Sequence, residues 1–127
     1  MYYLSGEEVL IIHSDLIDIT GGAHGMRDIN LFLSILEKPK TQFGGKELYP
    51  DVFQKAAVYL ESFVRYHVFI DGNKRTAIAV SARFLFMNGF DMRATNKKIE
   101  HFVLLVATER LELEKITTWF KRHSRKL

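Results

Sequence analysis

Apolar residues recur at helical spacing along most of the chain. Ser5 with Glu8 three positions on reads as a capping box, and Val9, Leu10, His13, Leu16 and Ile17 follow on one face of a first helix. Gly21-Gly22 stops it, and Gly25 keeps the next stretch a loop. Asp28 can cap a second helix with a stripe of Ile29, Phe32, Leu33 and Leu36. Pro39 marks its end, because the residue before a proline avoids the helical region. Asp51 opens a third helix that carries Val52, Ala56, Tyr59, Leu60, Phe63 and Val64 and runs to Tyr66. A break at Asp71-Gly72-Asn73 separates it from a fourth, which begins at Lys74 and stops at Asn88-Gly89. Between Ala77 and Met87 that helix is apolar almost all round, which predicts a central position with other helices packed about it. Thr95 or Asn96 can cap a fifth helix carrying Ile99, Phe102, Val103 and Val106. After Glu109-Arg110 a last helix carries Leu113, Ile116, Trp119 and Phe120 before fraying into a basic tail.

Residues 40–49 break this pattern. Gly44-Gly45, flanked by Gln42-Phe43 and Leu48-Tyr49, suggests a small β-hairpin or flap, with a plain connector as the alternative. The expected fold class is therefore all-α: a compact bundle of about six helices with one short flap and no internal repeat. A chain of 127 residues implies one domain, 1–127.

Charge changes this picture only once it is resolved by position. With 18 Lys+Arg against 15 Asp+Glu and a pI near 9.2, the chain at first suggests nucleic acid. Five of the basic residues, Lys115, Lys121, Arg122, Arg125 and Lys126, fall in the acid-free segment 115–127, and the rest of the chain nets −2. The basicity is a property of the tail, which suits an acidic protein partner better than direct nucleic-acid binding. No cysteine is present, so disulfide and thiolate chemistry drop out, as suits a reducing cytoplasm. The longest apolar runs, such as Phe102 to Ala107, fall far short of the roughly 18 residues of a membrane span. The first residues show neither the basic region nor the apolar stretch of a signal peptide.

One segment concentrates chemistry: His67-Val68-Phe69-Ile70-Asp71-Gly72-Asn73-Lys74-Arg75-Thr76. It feeds the N-terminus of the apolar fourth helix, where backbone N–H groups lack intrahelical partners and the macrodipole favours anions. Gly72 lets the backbone approach an oxyanion, and Lys74 and Arg75 add positive charge beside those amides. This is a phosphate site by construction. Asp71 would repel a phosphate unless a cation stands between them, and Mg²⁺ commonly takes one or two carboxylates together with phosphate oxygens. His67 can then take a proton from a hydroxyl attacking the bound phosphorus. Read residue by residue, His67 and Asp71 are instead helix caps, with Lys74 and Arg75 merely solvated. The joint spacing favours the site. No P-loop motif and no eukaryotic-type protein-kinase motif occurs.

The stretch His67-x-Phe69-x-Asp71-Gly72-Asn73-Lys74-Arg75-Thr76 resembles the signature of the Doc (death on curing) toxins, a branch of the Fic superfamily. The resemblance extends to Gly21-Gly22-Ala23-His24-Gly25-Met26-Arg27-Asp28, to Phe43-Gly44-Gly45 through Tyr49-Pro50, and to Leu85 through Gly89. It implies a Fic-type helical fold and the toxin of a type II toxin–antitoxin pair in a bacterial cytoplasm. Doc-like toxins transfer the terminal phosphate of a nucleoside triphosphate to a threonine of elongation factor Tu and so arrest translation. Fic proteins proper transfer AMP. Lys74 stands where their motif has its second glycine, and Val68 where it has proline, so both departures favour the Doc branch. AMP transfer is the runner-up, and an inactive binding module the third reading.

Carried over by resemblance, His67 is the general base and Asp71 the Mg²⁺ ligand. Gly72, Asn73, Lys74 and Arg75 hold the phosphates of ATP or another nucleoside triphosphate. The flap residues Gln42, Phe43, Gly44, Gly45 and Lys46 align the target segment. Thr108 and Glu112 have part of the spacing of a Fic inhibitory motif, but Leu113 follows, so inhibition is expected from a separate Phd-like acidic antitoxin that folds on binding.

Weaker signals are read down. His13, Asp15, Asp18 and His24 suggest a metal cluster less well than a buried stripe and a loop. Gly22 to Gly25 reads as a loop, not a nucleic-acid clamp. Trp119 at helical spacing from Ile116 reads as packing, not as a base-stacking platform.

Overall fold

A computed structural model describes residues 1–127. In chain order it contains α1 (Gly6–Thr20), α2 (Ile29–Glu37), a 3₁₀ turn (Lys38–Lys40), β1 (Gln42–Phe43), β2 (Lys46–Glu47), α3 (Val52–Tyr66), α4 (Asn73–Met87), β3 (Phe90–Met92), α5 (Asn96–Glu109), α6 (Leu113–Arg122) and β4 (Ser124–Lys126). The fold is a compact helical bundle with two small antiparallel sheets, as the sequence pattern predicts for the helices and the flap. No helix is long and apolar enough to cross a membrane.

The helix starts follow local chemistry. Ser5 and Asp51 each form a reciprocal capping box, with Glu8 and Gln54. Asp28 accepts from the Leu31 N–H and Thr95 from the Lys98 N–H. Each side chain satisfies a donor that the first turn leaves open. The 3₁₀ turn around Pro39 ends α2 as the proline requires.

The centre of the bundle differs from the sequence expectation. α3 is the most buried helix, with nine buried residues against six on α4. Ala56, Ala57 and Ala77 let the two helices approach, and Ser81 Oγ donates across the gap to the Ala56 carbonyl at 3.1 Å. Phe86 at the far end of α4 is half exposed, so α4 keeps one side in solvent. The α2 stripe is also rotated. Phe32, Ile35 and Leu36 are buried, while Ile29 and Leu33 are more than half exposed.

The basic tail does not fray. β4 pairs antiparallel with β3, matching Phe90 with Lys126, Asp91 with Arg125 and Met92 with Ser124. Leu127 N–H adds a bond to the Gly89 carbonyl at 2.9 Å. Trp119 is packed as expected, stacked on Phe102 at 3.9 Å and 3° and on His123 at 4.1 Å and 19°.

The flap is a true hairpin. β1 pairs with β2 through Phe43 opposite Lys46, and Gly44 and Gly45 take φ of 59° and 80° in the two-residue turn. Positive φ at both turn positions matches the twist of the flanking strands, which is why glycine occupies both. The hairpin is exposed, but its root is not loose. Lys55 on α3 is fully buried, and its Nζ donates to the Pro39 carbonyl and to Glu47 Oε1, both at 2.9 Å. Lys55→Met keeps the volume but leaves that carbonyl without its donor. The expected cost is about 1–3 kcal/mol in urea unfolding, with faster amide exchange at Leu48, whose N–H bonds the Thr41 carbonyl. Unchanged stability and exchange would show that the lysine does not hold the flap.

Candidate functional site

The segment that carries the chemistry is built into the core before it reaches solvent. Val68 and Phe69 are buried, and Phe69 packs against Phe63 and Phe32 with ring centroids 6.1 and 6.0 Å apart. The Asn73 side chain closes the loop behind them. Its Oδ1 accepts from the Phe69 N–H and its Nδ2 donates to the Phe69 carbonyl, both at 2.9 Å. That amide therefore imitates a backbone pair and pins Ile70, Asp71 and Gly72 into a short bend in which Ile70 is exposed and Gly72 buried. Gly72 turns the chain into α4 with φ 75°, and a Cβ there would meet Ile17 Cδ1 at 2.9 Å.

A second segment braces this bend. Residues 25–27 run antiparallel to residues 68–70. Arg27 N–H bonds the Val68 carbonyl at 2.7 Å, Ile70 N–H bonds the Gly25 carbonyl at 3.1 Å, and Met26 bridges to Phe69. Gly22 lies so close that a Cβ would sit 2.6 Å from Asp71 Oδ2. The two glycine-bearing stretches singled out in the sequence are thus partners in one structure.

Asp71 is held from several directions. Its Oδ2 accepts from the Ala23 N–H at 3.2 Å and its Oδ1 from the Gly72 N–H at 2.8 Å. Those two bonds, reinforced by Arg75 at 3.8 Å and by His13, lower its pKa below the usual carboxylate value against a smaller opposing effect of desolvation. The carboxylate remains about half exposed, so lone pairs stay open to solvent. A lowered pKa means that the ionised group stabilises the fold above the ordinary carboxylate range. This contribution disappears as pH falls through the depressed value. The thermal stability advantage of the wild type over Asp71→Asn should therefore be full at neutral pH and shrink only under acid. An advantage independent of pH would show that the loop does not depend on the charge.

The sequence-derived site residues gather around one cavity of about 420 Å³, lined by His67, Asp71, Gly72, Asn73, Lys74 and Arg75 with Ile70. His67 is exposed at the end of α3 in a left-handed conformation, φ 49° and ψ 51°. Lys74 is exposed in the first turn of α4, beside the open N–H groups of that turn. Arg75 is engaged: its guanidinium donates to Thr20 Oγ1 and to the Gly21 carbonyl, and so ties the end of α1 to Asp71. Asn73 contributes a loop-holding side chain, as described, rather than one free for a ligand. The flap residues Gln42, Phe43, Gly44, Gly45 and Lys46 do not line this cavity.

Sequence reasoning missed His13. It was readable as a buried stripe residue, and it is buried, but its ring stacks on Phe69 at 3.8 Å and 8° and its Nε2 donates to the Asp71 carbonyl at 2.8 Å. Nothing in the local pattern of α1 signals that contact. His24 pairs with Asp18 at 2.7 Å on the surface. No group of three or more His, Cys, Asp or Glu side chains is placed to cage a metal. The donor set at Asp71 nonetheless suits Mg²⁺. One half-exposed carboxylate beside the cationic Lys74 and the open N–H groups of α4 matches an ion that completes its shell with other oxygen ligands and water.

Comparison with known proteins identifies the family of the chain. The family model described as Fic/DOC family matches residues 3–85, which include α1, the bracing segment, the flap and the whole loop. A protein named Toxin Doc from Mycolicibacterium smegmatis is 35% identical over 116 residues, covering 90% of this chain and 87% of that protein. A protein named Protein kinase doc from Escherichia phage P1 is 35% identical over 89 residues, covering 70% of each chain. By its matched residues and by these relatives, the chain belongs to the Fic/DOC family.

Proposed function

We propose that the chain is the toxin of a type II toxin–antitoxin pair and a protein kinase. In this reading it transfers the γ-phosphate of a nucleoside triphosphate to a threonine of elongation factor Tu and so arrests translation. The observation that carries the reading is the shared cavity, in which an exposed histidine faces a carboxylate and a cationic helix start. The names of two relatives, one a toxin and one a protein kinase, point the same way.

The residues divide the work. The first N–H groups of α4, with Lys74, bind the phosphate oxygens where the helix dipole favours negative charge. Asp71 is the residue that would hold Mg²⁺, which when bound neutralises charge on the phosphates. Arg75, Ala23 and Gly72 orient Asp71 rather than act on substrate. His67 accepts the proton of the threonine hydroxyl as its oxygen forms a bond to the γ-phosphorus. The bond from that phosphorus to the bridging oxygen breaks, and a nucleoside diphosphate leaves. The flap, rooted by Lys55, would present the target segment by strand addition. Lys74 fills the position at which AMP-transferring relatives have glycine, which favours phosphate over AMP transfer. A Phd-like antitoxin with acidic character would complement the basic residues of α6 and β4.

Induced expression in bacteria tests the reading. The wild type should halt incorporation of labelled methionine within a generation, and co-expression of the neighbouring antitoxin frame should restore it. Continued incorporation at high toxin level would overturn the proposal.

A further inference from the structure

One side of α1 faces the loop that carries Asp71. His13, Ile17 and Thr20 stand at positions i, i+4 and i+7 of that helix and so share a face. Each meets a different part of the loop. Thr20 Oγ1 accepts from the Arg75 guanidinium. Ile17 Cδ1 lies where a Cβ on Gly72 would approach it to 2.9 Å. His13 Nε2 donates to the main-chain carbonyl of Asp71 at 2.8 Å. The histidine is 4% exposed, and its ring lies flat on Phe69 with centroids 3.8 Å apart.

We infer that His13 is a positioning residue for Asp71, and that it acts on cation binding rather than on the transfer step. The inference rests on the reading of Asp71 as the Mg²⁺ ligand. The carboxylate is held by the N–H groups of Ala23 and Gly72, and both donors sit in loops. Arg75, from α4, comes only to 3.8 Å of Asp71 Oδ1 and is committed to Thr20 and Gly21. The bond from His13 is therefore the hydrogen bond that ties Asp71 to a helix. It runs from a 15-residue helix to the peptide that carries the carboxylate, while Phe69 fixes the plane of the imidazole. A carbonyl can only accept, so Nε2 carries a hydrogen whether the ring is neutral or charged. The task needs no change of protonation. Loss of a histidine that merely fills the core is felt throughout the fold. Loss of one that seats Asp71 is felt first at the loop.

Two variants separate the donor from the ring. His13→Phe keeps an aromatic ring for Phe69 and removes the donor. His13→Gln gives up the ring and supplies an amide N–H in place of Nε2. If His13→Phe does not fold, His13→Leu takes its place. The first readout is amide exchange of the protein without magnesium. It compares the Gly72 N–H, bonded to the Asp71 carboxylate, with the Leu60 N–H in the buried part of α3. In His13→Phe, Gly72 should exchange about tenfold faster beyond any change at Leu60, with His13→Gln close to the wild type on that scale. The second readout is the Mg²⁺ dependence of phosphate transfer. His13→Phe should need about tenfold more Mg²⁺ for half its maximal rate, which recovers at saturating Mg²⁺, and His13→Gln should reverse most of the shift. Equal acceleration at Gly72 and Leu60, or a glutamine variant as impaired as the phenylalanine one, makes His13 a packing residue and overturns the inference. So does a lowered maximal rate with an unchanged Mg²⁺ requirement. If the wild type transfers no phosphate, the kinase reading falls, and the exchange ratio alone then upholds or overturns the positioning of Asp71.

Discussion

His67→Asn is expected to lower phosphate transfer by about 10²–10⁴-fold while leaving the thermal midpoint within the range of surface substitutions. The imidazole is exposed at the end of α3 and lines the loop cavity, so its loss removes a proton acceptor without opening a hole in the core. Asparagine is the informative replacement because the position is left-handed, with φ 49°, and asparagine tolerates that conformation. An alanine variant would combine the chemical loss with backbone strain. Nucleotide affinity should stay near that of the wild type, since the proposed phosphate contacts come from α4. A variant that transfers phosphate at the wild-type rate would remove His67 from the mechanism. One that unfolds would show that the residue is a cap rather than a base.

Phe69→Ala should be the most damaging single truncation to stability, at about 3–5 kcal/mol in denaturant unfolding. The ring is 1% exposed and packs against His13, Phe32 and Phe63. Its removal leaves a cavity that several fixed helices cannot close. It also removes the face on which His13 stacks before reaching the Asp71 carbonyl. Transfer activity should therefore fall further than the fraction of folded protein, and Phe69→Leu should recover most of the stability but only part of the activity. A loss below about 1 kcal/mol would mean that the loop is not seated on the core in this way.

These two residues show what could be read from the chain alone. Ser5, Asp28, Asp51 and Thr95 announce their helices because a cap and its target lie within one turn. The loop around His67 to Thr76 was legible because its chemistry is compressed into a few consecutive positions. The division of tasks within it was not. Asn73 and Arg75 read alike from the sequence, whereas in the structure the first closes the loop onto Phe69 and the second reaches back to Thr20 and Gly21. Such partners are set by how α1 lies against α4, which no local window contains. The same holds for His13, and for Lys55, a cation on an amphipathic helix that only the flap and the Pro39 turn reveal as buried. The tail read as frayed because β4 is short and charged, and its partner β3 lies a helix pair earlier in the chain.

The central claim is that this loop moves a γ-phosphate onto a protein. Purified elongation factor Tu incubated with the wild-type chain, magnesium and ATP labelled at either the γ or the α phosphorus tests it directly. The account predicts protein-bound label from the γ position alone, on threonine, and none with His67→Asn. Label arriving from the α position, or no label on the factor from either, would contradict it.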